Sequence, residues 1–211
     1  IPWPQTFGAM LSIEPIDWFT FSFALADANS DWDTIFENLF MICETNFKIS
    51  QKEAEWTGNY RFYFWVNDNE HINLRENDGE HTGYGFGLSF DQSIAGLFSL
   101  FARYGTRREK IYEFKEALSA GFEIKGKIWN RPEDVFAVGW SQIFPSSVYR
   151  KYVQRPAGIS SGNETLIEMY YRFHLSSILH LSPIFQFWHN AEGNKDNGSF
   201  TTFAIRGTLC F

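Results

Sequence analysis

Apolar and polar residues alternate along residues 199–211, at the C-terminal end of the chain. Phe203 and Ile205 fall on one side of this segment, and Arg206 falls on the other. Successive side chains of a β-strand point to opposite faces, so the pattern predicts a strand with one apolar face. The strand runs to the terminal aromatic Phe211. This ending is typical of the last strand of a bacterial outer-membrane barrel, whereas the ends of soluble domains tend to fray.

The same alternation, with turn signals between segments, predicts eleven strands. Their predicted bounds are 6–14, 17–26, 38–49, 57–67, 82–91, 96–104, 117–128, 133–143, 164–175, 178–189 and 199–211. Most match the roughly 9–11 residues that a tilted strand needs to cross a bilayer. The fold class predicted is therefore all-β, as a transmembrane antiparallel β-barrel.

Short and long connections alternate between these strands. Short turns are predicted near 14–17, 50–56, 92–95, 129–132 and 176–177, and longer polar loops near 27–37, 68–81, 105–116, 144–163 and 190–198. In bacterial barrels the short turns face the periplasm and the long loops face outside. Such barrels have an even number of strands, whereas eleven are visible. We therefore expect residues 1–211 to form one barrel domain whose N-terminal strands are absent from this sequence.

Composition supports a membrane environment made by strands. The chain has 23 Phe, 9 Tyr and 8 Trp residues, and its mean hydropathy is −0.28. No apolar run approaches the ~20 residues of a membrane helix. Its net charge of −7 with no basic block argues against a nucleic-acid partner.

A soluble sandwich or lipocalin would also alternate, and that alternative predicts a charged outer surface rich in Lys and Glu. Here the non-apolar face is rich in Gly, Ser, Thr, Asn and Tyr, and charges gather in the loops. A polar lumen explains this distribution better than a solvent-facing surface does.

Parity along the strands predicts which charged and amide side chains face such a lumen. They are Glu44, Lys48, Arg61, Trp65, Arg103, Glu123, Lys125, Glu168, Arg172, Gln186 and Arg206. The residues predicted to line the pore or contact solute are Arg61, Trp65, Arg103, Glu168, Arg172 and Arg206. Arginine suits this role because its planar fork donates to two oxygens at once. The alternative is that such charges only keep the lumen hydrated, and that Trp65 is a wall aromatic.

Aromatic residues near strand ends predict an interfacial belt, because amphipathic rings favour the headgroup level of a membrane. The predicted members are Trp18, Trp56, Tyr104, Trp129 and Phe211.

An enzyme and a structural or adhesion barrel are the alternatives to a transport function. An enzyme would need a base and a nucleophile, but the five histidines have no such spacing, so we expect no catalytic residue, metal site or cofactor. A structural or adhesion barrel would bind a partner through its loops. The locally basic loop 144–163 fits either that role or a constriction folded into the lumen.

Several motifs resemble the carbohydrate-selective porins of the OprB type. They are Thr82–Gln92 (TGYGFGLSFDQ), Gly96–Gly105 (GLFSLFARYG), residues 117–142, Glu164–Pro183, and the start at Pro4–Leu11 and Trp18–Asp27. The resemblance covers essentially the whole chain and corresponds to the C-terminal part of that family.

The resemblance implies a 16-stranded barrel in the outer membrane, monomeric or trimeric, that lets sugars diffuse passively. Its partners would be small sugars or other hydrophilic solutes and the outer-membrane lipids, with a homotrimer as one possible assembly. A general diffusion pore without sugar selectivity is the alternative.

Overall fold

Every strand of the structure pairs with its neighbours along the chain, which produces one continuous antiparallel meander. The computed structural model describes residues 6–29, 34, 37–51, 55–76, 78–79 and 82–210. The sheet order runs from the first strand to the eleventh without a crossover. The strands are β1 (Gly8–Ile16), β2 (Phe19–Asp27), β3 (Leu39–Gln51), β4 (Trp56–Asn67), β5 (Gly83–Ile94), β6 (Phe98–Arg107), β7 (Phe114–Lys125), β8 (Val135–Pro145), β9 (Glu164–Ser176), β10 (Leu179–His189) and β11 (Ser199–Leu209).

All eleven predicted strands are confirmed, with bounds that differ by at most three residues. β7 differs by three residues at both of its ends, and it ends at Lys125 because a 3₁₀ turn begins at Gly126–Trp129. Asn130 follows this turn with a left-handed φ of 62°, which reverses the chain direction. The prediction of a strand through residue 128 was wrong because nothing in the alternation marks this turn.

The register divides the side chains into one apolar and one polar face, since residues directly opposite each other in a sheet share a face. Phe64 pairs with Phe86, and Phe185 pairs with Phe203, on the apolar face. Many side chains on this face are exposed: Phe86 is 47% exposed and Phe203 is 78% exposed. A wide exposed apolar sheet face is what a barrel presents to lipid.

Short turns and long loops lie at opposite ends of the sheet, as predicted. At the long-loop end, residues 146–163 contain a helical turn, Ser147–Tyr149, followed by a π-helical turn, Arg150–Gln154. The amide of Ser146 donates to the carbonyl of Glu113 (2.7 Å), and Lys195 donates to Ser160 (2.7 Å). This loop therefore packs between the loops on either side of it.

Three predicted belt aromatics lie at the short-turn end. Trp18, Trp56 and Trp129 are 55%, 44% and 37% exposed. The prediction for Tyr104 was wrong, because β6 continues to Arg107 and leaves Tyr104 inside the strand. Phe211 lies outside the described residues. In the described part of the chain, no helix has the length and apolar character needed to cross a membrane.

Asp134, just before β8, anchors the chain reversal that follows the 3₁₀ turn Gly126–Trp129. Its carboxylate is 1% exposed and accepts hydrogen bonds from Arg131, from the Tyr171 hydroxyl (2.8 Å) and from the His174 amide (2.9 Å). Trp129 in turn donates to the Tyr171 hydroxyl (2.7 Å). The hydrogen bond from Arg131 is the largest cause that lowers the pKa of Asp134 from 3.8 to about 2, against the opposing effect of burial.

We predict that Asp134→Asn lowers the stability of the folded protein by roughly 1–3 kcal/mol, because it leaves buried donors without an acceptor. The lowered pKa in the folded state means that this stabilisation is full above pH ~4 and is lost as pH falls through about 2. Heat-induced mobility shifts in detergent, compared at pH 7 and at pH 2–4, measure both effects.

Glu133→Gln is the matched control, because Glu133 is exposed and its substitution removes the same charge at the neighbouring residue. Equal melting of Asp134→Asn and Glu133→Gln at pH 7 would show that the carboxylate does not anchor the turn.

Candidate solute-binding site on the polar face

The register places the predicted site residues on the polar face of the sheet, but not in one cluster. They are Arg61 on β4, Trp65 on β4, Arg103 on β6, Glu168 on β9, Arg172 on β9 and Arg206 on β11. Their strand partners on this face include Asn46, Gly85, Ser89, Gly139 and Ser182. They occupy three separate parts of the face.

One register row crosses the polar face from β3 to β11 and organises two of these parts. Each member lies directly opposite the next on the neighbouring strand. In order, the row is Lys48, Asn59, Asp91, Phe101, Gly121, Gly139, Glu168, Gln186 and Thr202. We call it the central row. Gly121 and Gly139, in the middle of the row, leave a gap between Asp91 on one side and Glu168 on the other.

The first half of the central row is a fixed hydrogen-bonded network. Asp91 accepts from Arg61 (2.5 Å) and from the Asn59 amide (2.9 Å). Asn59 accepts from Asn46 (3.1 Å), so the network joins β3, β4 and β5. Arg103 lies within electrostatic range of Asp91, with its guanidinium 5.3 Å from the Phe101 ring centroid.

The second half is a shorter chain of amide and hydroxyl groups. Gln186 donates to Glu168 (2.5 Å) and accepts from the Thr202 hydroxyl (2.9 Å). One oxygen of Glu168 is thereby held in place, while a carboxylate offers about four acceptor sites. The remaining lone pairs are available to a solute.

A cavity of about 360 Å³ lies between the two halves. The side chains around it include Asp91, Phe101, Glu123, Glu168 and Tyr170. Its volume is in the range of small-molecule sites, which combine apolar walls with a few well-placed polar groups. Carboxylates accept hydrogen bonds from hydroxyl groups, and aromatic rings contact C–H surfaces, so the cavity suits a small polyhydroxylated solute.

Three of these residues were missed as site residues from the sequence. The predicted strand ends at Asp91, next to the short turn predicted near 92–95, whereas β5 continues to Ile94. The signal was the alternation of Ser89, Asp91 and Ser93, which extends past the predicted end. Phe101 and Tyr170 are uncharged, so a prediction based on charged side chains does not include them. Each nevertheless lies on the same face of its strand as charged residues.

Aromatic rings on this face lie over glycines of the adjacent strand, which fixes their positions. A Cβ atom on Gly121 would come within 2.5 Å of the Phe101 ring, and one on Gly85 within 2.7 Å of Trp65. Trp65 also lies 5.9 Å from Tyr112, centroid to centroid, and borders a smaller cavity of about 270 Å³ nearer the long loops. Trp65 thus packs in the wall and exposes one side.

Arg172 and Arg206 form the third part, on the short-turn side of the central row. Both guanidinium groups lie within electrostatic range of the Tyr170 hydroxyl, as do Glu123 and Glu168. The polar face is therefore acidic around the cavity and basic beyond Tyr170. No group of three or more His, Cys, Asp or Glu residues is arranged to hold a metal ion in the part of the chain that the structure describes.

Comparisons with known proteins agree with this architecture. The family model described as the carbohydrate-selective porin, OprB family, matches residues 24–211. The high-pH structure of OprB from Pseudomonas putida superposes with a TM-score of 0.79 at 15% identity, covering 95% of this chain and 57% of that one. OccK11 (OpdR) from Pseudomonas aeruginosa superposes with a TM-score of 0.62 at 8% identity, covering 98% and 58%.

These structural likenesses establish the porin fold, and the chain spans less than two thirds of the length of either structure. No curated protein sequence matches the chain.

We predict that Gly87→Ala destabilises the fold, because its Cβ would overlap the ring of Tyr63. Gly105 lies directly opposite Gly87, and a Cβ there would sit 3.9 Å from the Tyr63 hydroxyl. The expected cost is roughly 1–3 kcal/mol at Gly87 and within about 0.5 kcal/mol at Gly105. Thermal unfolding of the two alanine variants in detergent tests this, and equal melting temperatures would contradict it.

Proposed function

This chain belongs to the OprB family of carbohydrate-selective porins, and we propose that it forms part of an outer-membrane pore for small hydrophilic solutes, carbohydrates above all. The family and the fold are those of channels. Movement through the pore would be passive diffusion down a concentration gradient. It would need no covalent chemistry and no cofactor.

The central row is the observation that best supports a sugar as the solute. It combines two carboxylates, Asp91 and Glu168, with the ring of Phe101 around a cavity of about 360 Å³. The groups that hold the two carboxylates do not line the cavity: Asp91 is bonded to Arg61 and Asn59, and Glu168 is bonded to Gln186. Sugar hydroxyls can exchange water hydrogen bonds for bonds to these groups at little net cost. Such weak, reversible contacts allow a solute both to enter and to leave.

The apolar face supports a lipid-facing wall. Ile205 is 74% exposed and Phe64 is 46% exposed on this face. Burying such surface in lipid is favourable by about 25 cal/mol per Å². Together with the family, this face supports our proposal that the protein lies in the outer membrane, with the outer-membrane lipids as its surroundings.

The two edges of the sheet support the hypothesis that further strands complete the barrel. Among the described residues, β1 and β11 each pair on one side only. An unpaired backbone edge in hydrocarbon costs several kcal/mol for each group, so membrane barrels are closed. β1 and β11 run in the same direction, so an odd number of added strands closes the barrel antiparallel. A homotrimer through the Phe-rich outer face of β2 and β4 stays a prediction.

Single-channel conductance of the full-length protein in a planar bilayer tests the proposed function. We expect stable open steps that added glucose or maltose blocks in a concentration-dependent way. Open steps that no sugar affects would indicate a general diffusion pore instead. Absence of steps from a protein verified as a folded barrel would refute transport and favour an adhesion or structural role.

We predict that Gly139→Leu weakens or abolishes sugar block by filling the cavity. The backbone there has room for the change, since a Cβ on Gly139 would lie 3.9 Å from the Phe101 ring. Half-blocking sugar concentrations should rise at least about tenfold, equivalent to about 1.4 kcal/mol.

Ala120→Leu, on the apolar face opposite Trp140, is the matched control and should leave sugar block unchanged. Wild-type sugar block in a folded Gly139→Leu protein would show that sugars bind elsewhere.

A further inference from the structure

We propose that Arg172 and Arg206, on either side of Ser182, form a second subsite that binds one oxyanion, such as a carboxylate or a phosphate group. We call these three residues the arginine row. The proposal rests on the proposed function, because it takes the polar face as the wall of a solute path. It extends that function from neutral sugars to solutes that carry an acidic group.

The register brings the two arginines to the same level of the sheet. Arg172 lies on β9 and Arg206 on β11, with β10 between them. Arg206 lies directly opposite Ser182. Leu181 pairs with Phe173, so Ser182 lies level with Arg172 on the other side. Neighbouring strands are about 4.8 Å apart, which sets the two arginine Cα atoms roughly 10 Å from each other. Two arginine side chains span that distance with room for one small anion between their ends.

The residue between them is small and does not separate them with a bulky side chain. Ser182 is 7% exposed, so the side chains of its neighbours cover it. Both guanidinium groups also lie within electrostatic range of the same phenol, that of Tyr170.

Among the described residues, Arg172 and Arg206 have no carboxylate partner, in contrast to Arg61 and Arg131. Arg61 is bonded to Asp91, and Arg131 to Asp134. In the described part of the chain, neither Arg172 nor Arg206 has a carboxylate within 4.0 Å, and Nε of Arg172 is buried with no hydrogen-bond partner. A buried donor on a cation is costly unless an acceptor meets it. An oxyanion supplies that acceptor and the compensating charge, in the bidentate geometry that guanidinium favours.

The next row towards the short turns adds further donors. His174 pairs with His180, with ring centroids 4.8 Å apart and planes at 67°. Nδ1 of His180 is also buried without a partner among the described residues. Two neighbouring rows thus leave nitrogen atoms unsatisfied at one place. Glu168 lies on the other side of Tyr170 along β9, and Glu123 lies level with Tyr170, two strands away. This separation favours an anion at the arginine row and a neutral polyol in the cavity.

The test compares three probes as blockers of single-channel current: inorganic phosphate, glucose 6-phosphate and glucose. We expect both phosphates to block the wild-type protein. The double variant Arg172→Gln, Arg206→Gln should raise both half-blocking phosphate concentrations about tenfold or more, because two charge-assisted bonds are lost. Glucose block should change less than twofold. Stronger block by glucose 6-phosphate than by phosphate would assign the oxyanion to a sugar, and equal block to a free anion.

Arg155→Gln is the matched control, since it removes the same charge from an exposed loop position. It should leave the half-blocking concentrations of all three probes unchanged. Calorimetric titration of the detergent-folded proteins with inorganic phosphate gives the same comparison without conduction. Unchanged phosphate affinity in the folded double variant would overturn the subsite and leave the porin proposal intact. Failure of the wild-type protein to conduct would refute the porin proposal, and the calorimetry would still decide the subsite.

Discussion

Complete pairing of the backbone is the constraint on which the rest of this structure depends. In hydrocarbon, a peptide group without a hydrogen-bond partner costs several kcal/mol, so each membrane strand must have a strand on both sides. Strands β2 to β10 satisfy this by pairing in sequence order, whereas β1 and β11 each pair on one side among the described residues. Once pairing is fixed, side chains have only two directions, one towards lipid and one towards the opposite face. The polar residues of all strands are therefore collected on one surface, whatever their distance along the chain.

The residues that were missed illustrate how this surface acquires a shape. In the middle of the central row, Gly121 and Gly139 have no side chains, and the rings of Phe101 and Tyr170 border the space that remains. The ring of Phe101 rests over Gly121, so it cannot collapse into the gap without losing that contact. The cavity is thus produced by alternating bulk along one register row, and its position does not depend on the loops.

Sequence reasoning succeeded where the structure depends on local periodicity and failed where it depends on register. The parity of Arg61, Glu168 and Arg206 follows from counting along single strands, so their common face was predictable. Their grouping was not, because it depends on how strands align. Alignment is set by turns such as Gly126–Trp129 and by irregularities such as the shift between Phe114 and Glu116. The role of Asp91 was not predictable for the same reason, since the predicted strand ends at this residue and β5 continues three residues further.

β9 shows how one strand can present a graded surface to a passing solute. Glu168, Tyr170, Arg172 and His174 occupy successive positions of its polar face. Their groups change from acceptor to phenol to permanent donor to imidazole over about 20 Å at ~3.3 Å per residue. A solute moving along such a strand exchanges one set of hydrogen bonds for another at each step, so no single position need bind it tightly. Selective conduction requires this balance, because a site must bind well enough to admit a solute and weakly enough to release it. The paired Arg61 and the unpaired Arg172 differ in this respect: Arg61 holds Asp91 in place, whereas the buried Nε of Arg172 has no hydrogen-bond partner among the described residues.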